Sequence, residues 1–235
     1  LEQHRMPSKV YGLVTGGNRG LGFALIPLLL SRDVRLHMFL GSRSLGAAHA
    51  AIKLLPPELQ CRVTGVELDV CDMASLAASV KAISAVTPSL SLLINNAGVL
   101  GETEWVEATV KTNYHGVLDT TKSFLPLIKA STSETRTIIN TSSSCGVRYF
   151  GKVEEGTRER LLSDTLCVDE LSEIITRMAA TTNDIYSVTK LGVNMFTRIL
   201  ARDVSINVVA VSPGFTKTDM CKNWTGERQP KAVEL

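Results

Sequence analysis

Residues 15 to 22 read TGGNRGLG, and Gly16, Gly20 and Gly22 fall there at a spacing that suggests a loop wrapped around phosphate. Glycine lets the backbone come close to a pyrophosphate, and the first N–H groups of a helix, with its positive dipole end, attract the anion. Glycines also make ordinary turns, so the pattern means something only where the loop joins a strand to a helix. The flanking text meets that condition: VYGLV before the loop is an apolar run, and FALIPLLL after it is helix-like.

The elements that must hold such a loop are legible along the chain. Short apolar runs predict strands at 10–15, 35–40, 62–68, 90–95, 137–141 and 206–211, with helices at 20–31, 44–55, 72–86, 104–130 and 184–202. Strand and helix alternate, which implies parallel strands with right-handed crossovers, and the continuous apolar character fits a sheet covered on both faces. The fold class is therefore α/β: one doubly wound parallel sheet in three layers, a Rossmann fold, with ligands beyond the carboxyl ends of the strands. Residues 151–181 break the rhythm. Leu171, Ile174, Ile175 and Met178 recur there at helical spacing behind the candidate caps Asp164, Thr165 and Asp169. They predict a helical insertion before the next long helix, either a surface excursion or one wall of a site.

Composition removes several function classes. The 235 residues suffice for one large domain, taken as 6–235 with the LEQHR before Met6 set aside. Apolar residues make up 44% and charged residues 20%, and a net charge of +2 argues against a nucleic-acid footprint. No apolar run approaches the roughly 18 residues of a membrane span. Cys61, Cys71, Cys145, Cys167 and Cys221 are scattered and odd in number, which fits reduced thiols in the cytoplasm. His4, His37, His49 and His115 lack ligand spacing, so no metal site is expected.

The T-G-x-x-x-G-x-G spacing resembles the short-chain dehydrogenase/reductase family, and further landmarks of that family follow in order. Asp69 lies in ELDV, Asn95-Asn96-Ala97-Gly98 forms NNAG, and Asn113 lies in KTNYHG. Ser143 lies in NTSSSCG, Tyr186 and Lys190 form YSVTK, and Pro213, Gly214 and Thr216 lie in SPGFTKTDM. The resemblance implies a catalytic set of Asn113, Ser143, Tyr186 and Lys190. It implies cofactor contacts from Gly16, Asn18, Arg19, Gly20, Leu21 and Gly22, and from Asp69 and Val70 beside the adenine. Asn95, Ala97 and Gly98 would lie beneath the cofactor, with Tyr186 and Lys190 also touching it and Pro213, Gly214 and Thr216 at the nicotinamide.

Chemistry supports those roles. A tyrosine ordinarily titrates near pH 10, too high to exchange protons easily at neutrality. Lys190, one helical turn along, favours the phenolate by its charge, and the resemblance adds that it holds the nicotinamide ribose. Ser143 donates to the carbonyl oxygen, and by resemblance Asn113 supports Lys190 in a proton relay. The second strand ends LGSRS, without the acid that accepts from a ribose 2′-OH. Arg43 there and Arg19 in the glycine loop instead suit a 2′-phosphate, so NADP(H) is the expected cofactor.

The 43 residues between Ser143 and Tyr186 resemble the carbonyl reductase branch, as do VKTNYHG, LPLIK and YSVTKLGV. That branch implies a monomer reducing ketones, aldehydes and quinones, with Cys145 and Phe215 lining the substrate pocket. The alternatives are an alcohol or hydroxysteroid dehydrogenase working in the oxidising direction and a silent NADP(H)-binding sensor. Against the branch, the runs from Gly98 to Asn113 and around 203–206 are short, and the last helix and strand that the family implies are not found after Thr218.

Overall fold

A computed structural model describes residues 8–100, 106–218 and 231. The chain opens with β1 (Val10–Thr15), α1 (Gly20–Arg32), β2 (Leu36–Ser42), α2 (Leu45–Ile52), a short α3 (Pro57–Gln60) and β3 (Val63–Glu67). Helix α4 (Met73–Ser84) leads to β4 (Leu92–Asn95), and a helical run follows as α5 (Val106–Val110), one π-helical turn (Lys111–His115) and α6 (Gly116–Lys129). Strand β5 (Thr137–Thr141) precedes α7 (Ser144–Phe150), α8 (Glu155–Leu162), α9 (Val168–Ala180), α10 (Ile185–Asp203) and β6 (Asn207–Val211).

All six strands are parallel, in the order β3-β2-β1-β4-β5-β6. The order reverses between β1 and β4, and at such a switch point the loops leaving the two strands part to form a crevice. Registration sorts the core into two layers. Leu13 lies beside Phe39 and Leu93, and Leu93 beside Ile138, giving one row that packs with residues of α4, α6, α9 and α10. Val14, beside Leu40 and Ile94, belongs to the opposite row, which packs with α1 and α2.

Packing, rather than local preference, holds helix α1. Helix α1 has no side-chain cap and contains Pro27, a residue that costs a helix interior about 3 kcal/mol or more. Ile26 and Leu30, both fully buried, offset it at about 1.5–3 kcal/mol each. Helices α2, α4 and α10 are capped conventionally by Ser44, Asp72 and Asp184.

The structure departs from the sequence expectations in five places. Strand β2 runs two residues further, to Ser42, because Gly41 and Ser42 continue the ladder to β3. The predicted helix 44–55 stops at Ile52, and Pro57 starts a separate turn. Helix α7 was not foreseen behind the serine run, nor was the π turn inside the predicted helix 104–130. The expected caps of α9 are employed otherwise. Its N-cap is Cys167, Asp164 and Thr165 bond arginines, and Asp169 sits in the first turn, where an acid suits the helix dipole.

Residues 151–181 do not form a surface excursion. Leu161, Leu166, Leu171, Ile174 and Ile175 are buried in the main core, with Met178 half-buried. Two arginines one turn apart on α10 staple the segment down. Arg198 donates to the carbonyls of Leu161, Leu162 and Ser163 and to the Asp164 carboxylate, and Arg202 donates to the carbonyls of Asp164 and Leu166. Close contact joins the helices: a Cβ at Gly192 of α10 would lie 2.7 Å from the Tyr114 ring and 3.1 Å from Ile175. Tyr114 is fully buried and its hydroxyl meets the Ser172 hydroxyl at 3.1 Å, so the ring has no room to swing. Gly192→Ala is therefore expected to cost about 1–3 kcal/mol by overpacking. Urea unfolding checks this, and an unchanged midpoint would contradict the packing described.

Candidate active site

The carboxyl edge of the sheet collects the chemistry-bearing loops. At the end of β1, Gly16 and Gly20 adopt φ of +63° and +57°, conformations that side chains with a Cβ resist. Gly22 is demanded by proximity instead, since a Cβ there would sit 2.5 Å from Asn96 Nδ2 and 2.7 Å from the Gly16 carbonyl. The loop is held from β4. Thr15 Oγ1 accepts from the N–H groups of Asn96 and Ala97, both at 3.0 Å, and Asn96 Nδ2 donates to the carbonyls of Thr15 and Gly16 at 2.9 and 3.3 Å. Neither Thr15 nor the Asn96 side chain was singled out from sequence. The Arg19 side chain leaves the N-terminus of α1 uncapped, and no acid lies in its first turn. Arg19 and Arg43 are both exposed, and the Gly17 N–H bonds the Gly41 carbonyl at 3.0 Å, which joins their two loops.

Further along the edge, Asp69 Oδ1 accepts from the Cys71 N–H at 2.9 Å, and Val70 is buried against Gly116. The side chain of Asn95 turns into the interior. It is 2% exposed and donates to Thr121 Oγ1 at 2.9 Å and Asn140 Oδ1 at 2.8 Å, and Asn140 donates in turn to Thr197 Oγ1 at 2.9 Å. This polar ladder ties α6 to α10 through β4 and β5. After β6, Gly214 has φ of +78° and Thr216 Oγ1 donates to the Pro213 carbonyl at 3.2 Å. Thr218 reaches the glycine loop, 3.7 Å from where a Cβ on Gly20 would stand. Cys221 and His4 lie outside the described residues.

Of the predicted reactive groups, Lys190, Tyr186 and Asn113 are brought together. Lys190 Nζ donates to the Thr141 carbonyl at 2.8 Å and lies 5.7 Å from the centre of the half-buried Tyr186 ring, within cation–π range. A Cβ on Gly98 would sit 3.2 Å from Asn113 Oδ1 and 3.9 Å from Lys190 Nζ, so the NNAG turn, the asparagine and the lysine share one spot. Asn113 is buried in the π turn. Its amide exchanges two hydrogen bonds with the backbone of Val99, each 2.8 Å, and reaches Thr189 Oγ1 at 3.4 Å. The extra residue of a π turn re-aims side chains, which suits a site residue within a helix. Ser143 caps α7, accepting from the Cys145 N–H at 3.2 Å. That bond uses an oxygen lone pair and leaves the hydroxyl proton to be aimed elsewhere. Cys145 is half-buried, with Arg148 donating to its sulfur at 3.0 Å, and Phe215 is half-buried in the last loop.

Burial lowers the pKa of Lys190 from 10.5 to about 8, because desolvation disfavours the ammonium. Lys190 thus keeps its proton at neutrality but releases it far more readily than an exposed lysine. Between pH 8 and 10.5 the unfolded chain binds more protons here than the folded one, so this group makes stability rise with pH across that window. Relative to Lys190→Met, the wild type should gain about 2 kcal/mol between pH 7 and pH 10. Urea unfolding of both proteins at the two pH values checks it, and parallel stabilities would show that Lys190 is not desolvated.

Among the described residues no group of His, Cys, Asp and Glu could hold a metal ion, and no helix is long and apolar enough to cross a membrane. A depression of about 320 Å³ between α8 and α9, lined by Glu154, Arg160, Glu170, Glu173 and Arg177, shares no residue with the site.

A doubly wound parallel sheet with a glycine loop beside its switch point defines a dinucleotide-binding domain of the Rossmann type. The chain belongs to the short chain dehydrogenase family, whose model matches residues 11–154 and 171–229. The break between the matched stretches falls over α8. The chain is 29% identical over 249 residues to carbonyl reductase (NADPH) 1 of Sus scrofa, covering 95% of this chain and 82% of that one. It is 30% identical to the (+)-neomenthol dehydrogenase of Arabidopsis thaliana, covering 89% and 84%. The structure of salutaridine reductase from Papaver somniferum matches with a TM-score of 0.81 at 25% identity, covering 90% of this chain and 88% of that one.

Proposed function

We propose that this chain is an NADP-dependent oxidoreductase that reduces ketones, aldehydes and quinones. The observation that carries the reading is the meeting of Asn113, Gly98 and Lys190 beyond the ends of β4 and β5, with Tyr186 one turn from Lys190. Its support from kinship is the similarity to carbonyl reductase (NADPH) 1 over most of both chains. The site fits the cofactor: Gly16, Gly20 and Gly22 form a cradle that side chains would fill, at a helix start suited to pyrophosphate. Asn18 and Leu21 contribute from that loop, and Arg19 and Arg43 clamp the 2′-phosphate. Asp69 and Val70 flank the adenine; Asn95, Ala97 and Gly98 act through their backbone; Pro213, Gly214 and Thr216 receive the carboxamide.

Bound NADPH supplies the hydride that reduces the carbonyl carbon. Tyr186 gives its phenolic proton to the carbonyl oxygen, helped by the charge of Lys190, which lowers the cost of the phenolate. Ser143 turns its free proton to the same oxygen and offsets the developing charge. Asn113 holds the NNAG turn against Lys190, and Cys145 and Phe215 wall the substrate. Residues 6–235 act as one domain with 151–181 as a helical insertion. The burial of that insertion on α10 supports a monomer, and the free Cys61, Cys71, Cys145 and Cys167 support a cytoplasmic setting.

An NADPH-consumption screen across quinones, aldehydes, ketones and pteridines tests the reading, and silence across the panel would refute it. Tyr186→Phe should lower turnover by at least about 100-fold while NADPH binding stays within about threefold. Arg43→Ala should cut the preference for NADPH over NADH by about tenfold, the loss of one charge-assisted contact. An unchanged ratio in steady-state kinetics would remove Arg43 from the cofactor site.

A further inference from the structure

We propose that Ser142 is a positioning residue that, together with the Thr141 carbonyl and Gly146, grips Lys190 and sets α10 in register against Ser143. The inference rests on the role given to Lys190 above. Both ends of that residue are held by one short run of chain. The Thr141 carbonyl accepts from Lys190 Nζ at 2.8 Å. The next residue, Ser142, places its hydroxyl 3.2 Å from the Lys190 carbonyl and donates to Asn194 Oδ1, one turn on, at 2.6 Å. A hydroxyl has a single proton, so these two acceptors on α10 share it. Ser142 is itself fixed: it is 4% exposed and its N–H bonds the Val211 carbonyl of β6 at 2.8 Å.

Gly146 closes the grip from the other side. A Cβ there would stand 2.5 Å from the carbonyl carbon of Lys190 and 2.6 Å from the Leu191 nitrogen, so α7 rests directly on the Lys190 peptide. The six residues 141–146 therefore carry Ser143 and locate Lys190 at once. Tyr186 follows, being one turn earlier on the same helix. In this arrangement the spacing of serine, tyrosine and lysine is set by local contacts of β5 and α7 with α10.

Removing the Ser142 hydroxyl leaves Asn194 Oδ1 without its donor in a packed seam, a cost that α10 relieves by shifting. A misplacement of an ångström in a catalytic group is worth about 100-fold in rate. The test compares the wild type with Ser142→Ala and Ser142→Thr, the latter retaining the hydroxyl. Ser142→Ala should lower kcat for carbonyl reduction by about 10- to 100-fold with NADPH affinity within about threefold. The Lys190 titration, followed by the NMR shift of its ¹³Cε, should fall by at least about half a pH unit as the Thr141 contact loosens. Ser142→Thr should restore both. If Ser142→Ala does not fold, Asn194→Ala is read against the same criteria. A Lys190 titration identical to wild type in the variant overturns the proposal, whatever the rate, because a merely structural role would leave it in place. A wild type that consumes no NADPH refutes the proposed function instead, and the Lys190 titration still decides the grip.

Discussion

Parallelism is the constraint from which the rest of the molecule follows. Because all six strands run the same way, Thr15, Ser42, Asn95, Thr141 and Val211 end on one edge of the sheet. Several of the loops leaving that edge find backbone partners on a neighbouring loop or strand end. Thr15 receives the N–H groups of the NNAG turn, Gly17 bonds the end of β2, and Ser142 bonds the end of β6. The reversal of strand order between β1 and β4 keeps these loops from closing over the sheet, and the crevice persists between them.

Helix α10 is the hub of what lies beyond that edge. Twelve of its nineteen residues are buried, among them a lysine whose charge is costly to keep from water. Such a residue is a poor means of stabilising a fold, so its retention in the core fits a chemical task. The surroundings are organised to tolerate it: the Thr141 carbonyl meets the ammonium, the Tyr186 ring lies beneath it, and Asn113 stands alongside. The ladder from Thr121 through Asn95 and Asn140 to Thr197 adds a second polar tie between the helices that bear Asn113 and Lys190. These three directional bonds favour one register where apolar contacts alone would allow several, while Asn95 Oδ1 stays buried without a hydrogen-bond partner.

Much of this was legible in the sequence because apolar periodicity reports burial directly. Strand β1 and strand β5 fall where the runs VYGLVT and TIINT place them. What escaped was whatever the local text disguised. SSSCG reads as a turn, since serine and glycine compete with helix formation, yet Ser143 uses that same side chain to cap α7. The π turn leaves no trace in KTNYH, and its Asn113 takes its hydrogen bonds from Val99, on another loop that local sequence cannot bring into view. The motif NNAG does not say which way each asparagine points; strand alternation sends the Asn95 side chain into the interior, leaving its neighbour Asn96 to brace the glycine loop. Ser142 was hidden for the same reason as α7, in a run of three serines whose separate directions only tertiary contacts resolve.

The staple formed by Arg198 and Arg202 bears on how such a chain can diverge. Five of its six acceptors on residues 161–166 are main-chain carbonyls, with the Asp164 carboxylate the exception. Every residue type offers a carbonyl, so the segment can exchange its side chains through mutation and remain docked, provided the two arginines persist. The family model passes over residues 155–170, the stretch that holds α8 and all five of those carbonyls. Two fixed cations on an otherwise constrained helix thus give an adjoining stretch of sequence freedom to drift without loosening the helix that bears Tyr186 and Lys190.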